Sequence, residues 1–350
     1  MSRLRERGHM SDATIQITSP ADLLAAVPRL LGFHPEESLV LVTVAGFGRP
    51  LHARCDLRAD PDVLAAMAKS LHLAVRRNGV RRAVLVAYTD DHGLAAEVVT
   101  GLVDVLAAAG ATVEDALRAD GGRYWSLIPC EGACCPPDGV PYDVMAHPLT
   151  AEGVLDGEVT LPSRQAIADS LRGPDTDALA EVEDAVREAR ARNERAAVHP
   201  LGPAAAPERA RQDLRAEGLW VRDRVRRFLA DRRSLATGEL GRLLVALRAV
   251  ELRDVAWSEM RSANAAAHVD LWRDLVRRSP QDLVAAPAAL LAFAAWLNGE
   301  GALAWCALDR CCEVEPDYRM AALLTQALAT ATPPSSWQPI SSEELPLFAC

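Results

Sequence analysis

The sequence is poor in aromatic residues, in lysine and in long apolar runs, and each shortage is informative. Aromatic residues make up 5% of the 350 residues, so aliphatic side chains must build the core. Lys69 is the single lysine, and arginine carries the remaining positive charge, a bias typical of a GC-rich genome rather than of a function. The longest apolar stretch, 283–297, has 15 residues and contains Pro287. It is too short to cross a bilayer, which needs roughly 20 residues.

Several functional signatures are absent as well. No Gly-x-Gly-x-x-Gly or Gly-x-x-x-x-Gly-Lys-Ser/Thr loop lies between a strand and a helix, and there is no Gly-x-Ser-x-Gly turn. The net charge of −10 argues against nucleic-acid and membrane-surface partners. No apolar segment follows the arginines of the first ten residues, and the pattern begins near Thr14, which makes Met10 an alternative start to Met1. We therefore expect a cytoplasmic protein with reduced cysteines.

The first part of the sequence alternates between short apolar runs and amphipathic helices. Ser19, followed by Pro20 and Asp22, predicts a helix start with a capping box. The aliphatic run 39–45 predicts a strand buried on both faces, and the alternating segment 51–58 predicts a strand joined to it as a hairpin. The remaining elements are helices that begin at Asp60-Pro61 and at Asp90 or Asp91, and strands at 83–88, 112–118 and 123–128. The pattern predicts an α/β domain over 14–162 with a mixed sheet of about five strands.

From residue 163 onward the sequence predicts only helices, near 208–231, 237–259, 264–278 and 283–297. We expect an all-α, TPR-like domain over 163–331, and loose tails at 1–13 and 332–350. The segment 288–330 resembles a tetratricopeptide helix pair, because Ala304, Cys311 and Pro316 fall at its small, small and proline positions. A generic helical hairpin with an alanine-rich interface is the alternative.

A cysteine-rich loop is the most unusual local feature. Cys130, Cys134 and Cys135 lie within six residues, and His147 follows twelve residues later. Together they could hold a zinc ion, although the spacing differs from that of a zinc knuckle. A reversible thiol switch between Cys130 and one of the other two is the second interpretation, and simple packing is the third. A second group, Cys306, Cys311 and Cys312, fits core packing.

The strongest generic catalytic position follows the third predicted strand. Thr89, Asp90 and His92 lie at its carboxyl end, where α/β sheets place their ligands. An aspartate there is also an ordinary helix cap. His34 precedes the amino end of the first predicted strand, so we expect it to lie away from such a site and to serve a structural role.

An arginine-rich segment offers a different kind of site. Residues 209–233 hold nine arginines and four acidic residues, and Arg215, Arg222 and Arg226 fall on one helical face. Such a stripe could meet phosphate or an acidic partner surface, and a solvated helix face is the alternative. Arg123 and Trp125, which precede the cysteine-rich loop, are a further candidate, since Arg123 could stabilise a thiolate.

Three blocks of the sequence together resemble a known family. They are Ser19-Pro20-Ala21-Asp22 with Leu31-Gly32-Phe33-His34-Pro35; Arg123-Tyr124-Trp125 followed by Cys130-x-x-x-Cys134-Cys135-Pro136-x-x-Gly139; and Ala295-Trp296-Leu297-x-Gly299-x-Gly301-Ala302-Leu303-Ala304. On these residues the chain resembles the actinobacterial domain-of-unknown-function 4192 family, over about residues 14–330. The resemblance implies an actinobacterial, cytoplasmic protein. It implies no activity, so no catalytic residue follows from it.

These observations leave three functional hypotheses. The first is a binding or regulatory protein whose helical domain is the platform for a protein partner. The second is an enzyme with its site on the α/β domain, near Thr89, Asp90, His92 and the cysteine-rich loop. The third is a protein controlled by a thiol switch, or stabilised by zinc, through Cys130–Cys135.

Overall fold

The chain folds into two compact units. The computed structural model describes residues 4–7, 14–43, 51–128, 136–173, 176–197 and 206–348. The first unit comprises Met1–Ala166 with Ala327–Pro333, and the second comprises Ile167–Gln326 with Pro334–Cys350. Within the first unit, the Arg77 guanidinium and the Asn78 side-chain amide donate to the carbonyl oxygens of Thr330 and Ala331, at 3.1 Å each.

Strands are confined to the first unit among the described residues. They are β1 Leu4–Arg7, β2 Thr14–Ile17, β3 Ser38–Thr43, β4 His52–Asp56, β5 Arg82–Tyr88, β6 Thr112–Asp120, β7 Arg123–Ser126 and β8 Val140–Pro141. The α-helices are α1 Pro20–Leu31, α2 Pro61–Asn78, α3 His92–Ala108, α4 Pro148–Leu155, α5 Arg164–Ser170, α6 Thr176–Ala197, α7 Ala206–Asp231, α8 Thr237–Ala246, α9 Val250–Ser258, α10 Ala265–Arg278, α11 Ala285–Asn298, α12 Gly301–Cys312 and α13 Arg319–Ala329. None of these helices is both long enough and apolar enough to span a membrane.

The central sheet is mixed, as the sequence predicts. Its strand order is β4-β3-β5-β6-β7-β8, and β1 pairs with β2 in a separate two-stranded sheet. The pair β5–β6 is parallel, and every other neighbouring pair is antiparallel. The predicted pairing of the first two strands is confirmed, with Ser38 opposite Asp56. The central sheet contains one strand more than the five expected, because the two-residue β8 is too short to leave a sequence pattern. The strands β1 and β2 were not predicted either, and β1 lies in the segment 1–13 that was expected to be a loose tail.

The alternation of side chains sorts the core into two layers. Leu39 and Leu41 of β3 face one side, in a cluster with the apolar residues of α2 and α3. Val40 and Val42 face the other side, where they pack with Leu24 and its neighbours on α1. Because successive strand residues point to opposite faces, a continuous aliphatic run is what a strand covered on both faces requires. The prediction of a doubly buried strand is confirmed.

Capping residues fix where the helices of the first unit begin. Ser19 and Asp22 form the predicted capping box at the start of α1. Asp60 caps α2 through the amides of Asp62 and Val63. Of the two candidates for α3, Asp91 is the cap, and its carboxylate accepts from the Leu94 amide at 2.9 Å.

The second unit is helical, and one predicted helix is divided. The segment expected to be a single helix over 237–259 consists of α8 and α9. Between them the amides of Arg248 and Ala249 bond three residues back, to Val245 and Ala246, which tightens the turn and ends α8. No glycine or proline marks this break, so the helical periodicity did not reveal it.

The last helices form consecutive hairpins. Every residue of α11 from Ala285 to Leu297 is buried, and α11 contacts α10 and α12. Ala304 and Cys311 of α12 are fully buried, as the small positions of a helix pair require. The tetratricopeptide likeness itself stays a prediction.

Residues 334–348 differ from the loose tail that the sequence predicts. They contain two short 3-10 turns, Pro334–Ser336 and Ser342–Glu344. Leu345 and Phe348 are buried. The apolar residues of this segment are separated by prolines and serines, so the sequence shows no helical or strand periodicity. Trp337 nevertheless packs against Phe293, and Phe348 lies against Gly218 of α7.

Candidate functional site

The carboxyl ends of the parallel strands β5 and β6 bring several polar groups together. Thr89 follows β5 and is only 3% exposed. Its hydroxyl donates to Oε2 of Glu37 at 3.0 Å and accepts from the Asp91 amide at 3.2 Å. The hydroxyl therefore joins the loop before β3 to the first turn of α3.

Arg118 lies beneath this turn, near the end of β6. Its side chain is 9% exposed. Nη1 donates to the carbonyl oxygens of Thr89 and Asp90 at 3.2 and 3.1 Å. The guanidinium stacks on the Trp125 ring at 3.8 Å from its centre, because the two residues are direct neighbours across β6 and β7. Its Nε has no hydrogen-bond partner among the described residues.

Glu37 completes the arrangement from a left-handed backbone conformation. Its φ is +39°, which is uncommon for a residue other than glycine. Its carbonyl oxygen accepts from the Leu57 amide at 2.9 Å, so the loop is fixed at the end of β4 while the side chain reaches Thr89. Sequence analysis did not identify Glu37 or Arg118. The one available signal was an arginine within an otherwise apolar stretch of β6.

The loop of His34 lies at the same edge of the sheet, contrary to the sequence expectation. Because β3 runs antiparallel to β5, the amino end of β3 lies beside the carboxyl end of β5, with Ser38 opposite Tyr88. His34 is partly buried, and its backbone amide donates to the carbonyl oxygen of Leu161 at 3.0 Å. The loop from His34 to Glu37 is thus brought to the edge that also holds Thr89.

One of the catalytic candidates at this edge is held by side-chain hydrogen bonds, and two are exposed. Thr89 has both of its hydroxyl bonds within the protein, and Asp91 caps α3. Asp90 and His92 are exposed. The hydrogen bonds of Thr89, Asp91 and Arg118 stabilise the turn between β5 and α3, and this structural role explains why these polar residues are there. A catalytic role for Thr89, Asp90, His92 or His34 stays a prediction.

Arg123 and Trp125 fix the segment that returns to the sheet. Arg123 Nη1 donates to the carbonyl oxygens of Asp138 and Gly139, at 2.9 and 3.0 Å. Trp125 Nε1 donates to the carbonyl oxygen of Pro137 at 3.0 Å. A Cβ on Gly139 would lie 2.5 Å from the Trp125 ring, and the φ of Gly139 is +72°, so both space and conformation require glycine there. Cys130, Cys134 and Cys135 lie outside the described residues.

His147, the fourth proposed zinc ligand, caps α4. Its Nδ1 accepts from the Leu149 amide at 3.3 Å, and its Nε2 lies 3.2 Å from Oδ1 of Asp22. Burial alone would raise the pKa of Asp22, but hydrogen bonds from Thr18 and Ser19 hold it below its ordinary value. Both ring nitrogens of His147 therefore have partners, and no group of three metal-binding side chains occurs in the described parts of the chain.

Three of the described cysteines, Cys55, Cys311 and Cys312, are unactivated thiols. Burial raises the pKa of Cys55 to about 11 and that of Cys311 to about 12. A protonated thiol is a poor nucleophile and a poor metal ligand. Cys306 and Cys311 lie in the core of the second unit, as the sequence predicts.

The arginines of α7 have partners within the second unit. Arg226 pairs with both oxygens of Glu259, at 2.7 and 3.0 Å. Arg222 donates to Oγ of Ser342 at 3.3 Å and, like Arg215, lies over the Phe348 ring. Of the three candidates for binding phosphate, Arg226 is thus neutralised by Glu259, whereas Arg215 and Arg222 contact the Phe348 ring and have no acidic partner among these contacts.

Exposed apolar side chains concentrate around α4. Met145, Val154, Leu155 and Val159 are between 68% and 86% exposed, and we refer to them as the α4 surface. Helical periodicity gave no reason to predict this surface. In the second unit the exposed large apolar residues are single ones on separate elements: Leu219, Val250, Leu323 and Ile340.

Comparison with known proteins places the chain in a family without adding residue roles. No curated protein and no solved structure matches it. One family model, described as a domain of unknown function (DUF4192), matches residues 20–335, which cover most of both units. The match includes α1, the edge around Thr89 and Arg118, and the α4 surface. The chain belongs to this DUF4192 family.

Proposed function

We propose that the protein binds a protein partner through the α4 surface, and that the partner presents apolar side chains flanked by lysine or arginine. The observation that carries this proposal is the cluster of four strongly exposed apolar side chains within 15 residues, 145–159. Single exposed apolar residues are normal on protein surfaces, but clusters mark interaction sites.

Both flanks of α4 are tied to it, which keeps these side chains near one short helix. The Thr150 hydroxyl donates to the carbonyl oxygen of Val144 at 2.6 Å, just before Met145. On the other side, the Glu158 amide donates to the carbonyl oxygen of Gly153 at 2.9 Å, just before Val159. An eight-residue helix is roughly 12 Å long, so the α4 surface is compact.

The helix is also anchored from beneath. The Arg29 side chain is 8% exposed, and it donates to the Leu149 carbonyl oxygen at 2.7 Å and to Glu158 at 2.7 and 3.0 Å. A Cβ on Gly153 would lie 2.7 Å from Arg29 Nε, so glycine makes room for the guanidinium. Val154 and Leu155 are thus presented by a fixed helix, with Met145 and Val159 on the segments tied to it, and a fixed surface loses little entropy on binding.

The charge around the surface indicates the chemistry of the partner. Residues 124–163 contain six acidic residues and no lysine or arginine. Glu152 and Asp156 are exposed beside the apolar side chains. A basic rim on the partner would complement them and speed association. The sequence-based hypothesis of a helical partner platform has no comparable cluster behind it, because the strongly exposed apolar side chains of the second unit lie singly on separate elements.

The proposal is tested with a synthetic amphipathic helix of about 18 residues, with leucines at positions i, i+3, i+4 and i+7 and lysines elsewhere. Its binding to the full chain is measured by fluorescence anisotropy. Leu155→Ser should weaken binding about ten-fold or more, because an apolar contact of that size is lost.

Val250→Ser is the matched control, since Val250 is an exposed apolar residue of α9. It should leave the affinity unchanged. A second control peptide carries glutamate in place of lysine and should bind much more weakly. Equal affinity of the wild type and the Leu155→Ser variant, or of the two peptides, would refute the proposal.

A further inference from the structure

One face of α7 differs from the rest of this helix. Arg215, Gly218 and Arg222 are spaced i, i+3 and i+7, so they lie in line on the same side. Glycine is among the least favourable residues for a helix interior, and α7 continues for more than three turns beyond Gly218. A glycine at that position indicates that something must approach the backbone closely.

The approaching group is residues 341–348 of the same unit. A Cβ on Gly218 would lie 2.7 Å from Cδ2 of Leu347 and 3.1 Å from Cζ of Phe348. The guanidinium carbons of Arg215 and Arg222 lie 5.9 and 5.3 Å from the centre of the Phe348 ring, within the range of cation–π attraction. The absence of a side chain at Gly218 therefore leaves space for Leu347 and the Phe348 ring, and Arg215 and Arg222 both contact that ring.

Polar contacts extend this fit along the helix. Arg222 donates to the Ser342 hydroxyl at 3.3 Å, and Arg226, paired with Glu259, is also acted on by the charge of Glu343. The segment has its own shape, because Ser341 and Glu344 form a capping box around its 3-10 turn. An acidic, preshaped segment thus lies on the most arginine-rich helix of the chain.

We infer that this face of α7 is a recognition groove for an acidic segment of a partner protein, one that carries adjacent leucine and phenylalanine like Leu347 and Phe348, and that residues 341–348 are its intramolecular occupant. This groove lies in the second unit and is independent of the α4 surface. A partner segment of matching chemistry competes with residues 341–348 for the groove.

The occupant is suited to displacement. Ser342, Leu345 and Phe348 are its buried residues, and Glu343, Glu344 and Pro346 are exposed. Segments with few buried contacts open at low free-energy cost. A tethered segment acts at an effective concentration on the order of millimolar, so a free peptide binds visibly only when the tethered one is weakened.

The experiment uses the full chain and a fluorescein-labelled peptide with the sequence of residues 339–348, PISSEELPLF. The Phe348→Ala variant should bind this peptide at least ten-fold more tightly than the wild type, because its own segment no longer competes. The same peptide with alanine in place of phenylalanine, or with lysine in place of both glutamates, should lose that affinity.

Gly218→Ala in the Phe348→Ala background separates recognition from folding. Alanine favours the helix, so the variant keeps its fold, while the added methyl group fills the space above Gly218 that Leu347 and Phe348 approach. Peptide affinity should fall at least ten-fold. The inference is overturned if Phe348→Ala binds no more tightly than the wild type, if Gly218→Ala changes nothing, or if a wild-type dimer dissociates on Phe348→Ala, which would assign the groove to a second copy.

Discussion

Two apolar helices of this protein, α11 and α4, differ in burial. In α11 of the second unit, all 13 residues from Ala285 to Leu297 are buried. In α4 of the first unit, Gly153 is the one buried residue, while Val154 and Leu155 point into solvent. Glu152 is the single charged residue in the two helices together. Apolar composition therefore does not decide whether a helix is covered.

The two helices differ in how their neighbours hold them. The second unit surrounds α11 with α10, α12 and aromatic rings: Phe293 lies 5.7 Å from Trp257 and 5.1 Å from Trp337, between ring centres. The first unit holds α4 from one side, through the buried Arg29 and the pair of His147 with Asp22. Packing on all sides stabilises a core, whereas a one-sided ionic anchor leaves an apolar face available.

The largest expected difference comes from shortening a leucine in each helix. Leu291→Ala in α11 should lower the free energy of unfolding of the second unit by about 2–5 kcal/mol, because Leu291 is fully buried and a cavity remains. Leu155→Ala in α4 should change that of the first unit by less than about 0.5 kcal/mol. Urea unfolding followed by circular dichroism measures both.

A cost of 2 kcal/mol or more for Leu155→Ala would show that the α4 surface is covered in solution. The contrast between the two helices would then disappear. Native mass spectrometry of the wild type would identify a self-association that provides such a cover.

The stability of the second unit should depend on pH through the buried His268. Burial lowers the pKa of His268 to about 4, although Glu259 opposes this shift and Arg261 and Arg232 add to it. The unfolded chain therefore binds a proton that the folded chain rejects, between pH 4 and about 6.5. Stability should fall as the pH drops through this window, by up to about 3 kcal/mol.

Tryptophan fluorescence reports this transition, because six of the seven tryptophans lie in the second unit. His268→Gln should move the acid midpoint of the fluorescence change to lower pH. The same midpoint in the wild type and the variant would mean that His268 does not drive the loss of stability.

The smallest of the three effects should come from the anchor of α4. Arg29→Ala removes the partners of Glu158 and of the Leu149 carbonyl oxygen, and it should lower the stability of the first unit by about 1–3 kcal/mol. Hydrogen exchange should become faster in Pro148–Leu155 and stay unchanged in Ala285–Asn298. Arg29→Lys should recover only part of the protection, since lysine cannot form the forked contact. Unchanged exchange in α4 would exclude Arg29 as its anchor.

Much of the fold could be predicted because it rests on local physical chemistry. Ser19 and Asp22 satisfy each other's backbone amides within four residues, so the start of α1 is visible in the sequence. The aliphatic run of β3 and the alternation of β4 likewise predict a hairpin that the structure confirms. The division between α8 and α9 was not predictable, because a tightened turn needs no special residue.

The candidate site could be predicted only in part. Thr89 and Asp91 were visible as polar residues after an apolar strand. Their partners Glu37 and Arg118 are distant in sequence, and the antiparallel order of β3 and β5 brings Glu37 to them. Strand order is a property of the whole sheet, and no local pattern encodes it.

The sequence by itself determined many of the elements: where α1 and α2 are capped, that β3 is apolar on both faces, and that the segment of α11 is apolar. Tertiary structure alone decided what each element meets. Arg29 could anchor α4 because Gly153 leaves room for it, and Phe348 could settle on α7 because Gly218 leaves room for the ring. The physical reason is that periodicity and capping act within a few residues, whereas burial depends on neighbours that only the folded chain brings together.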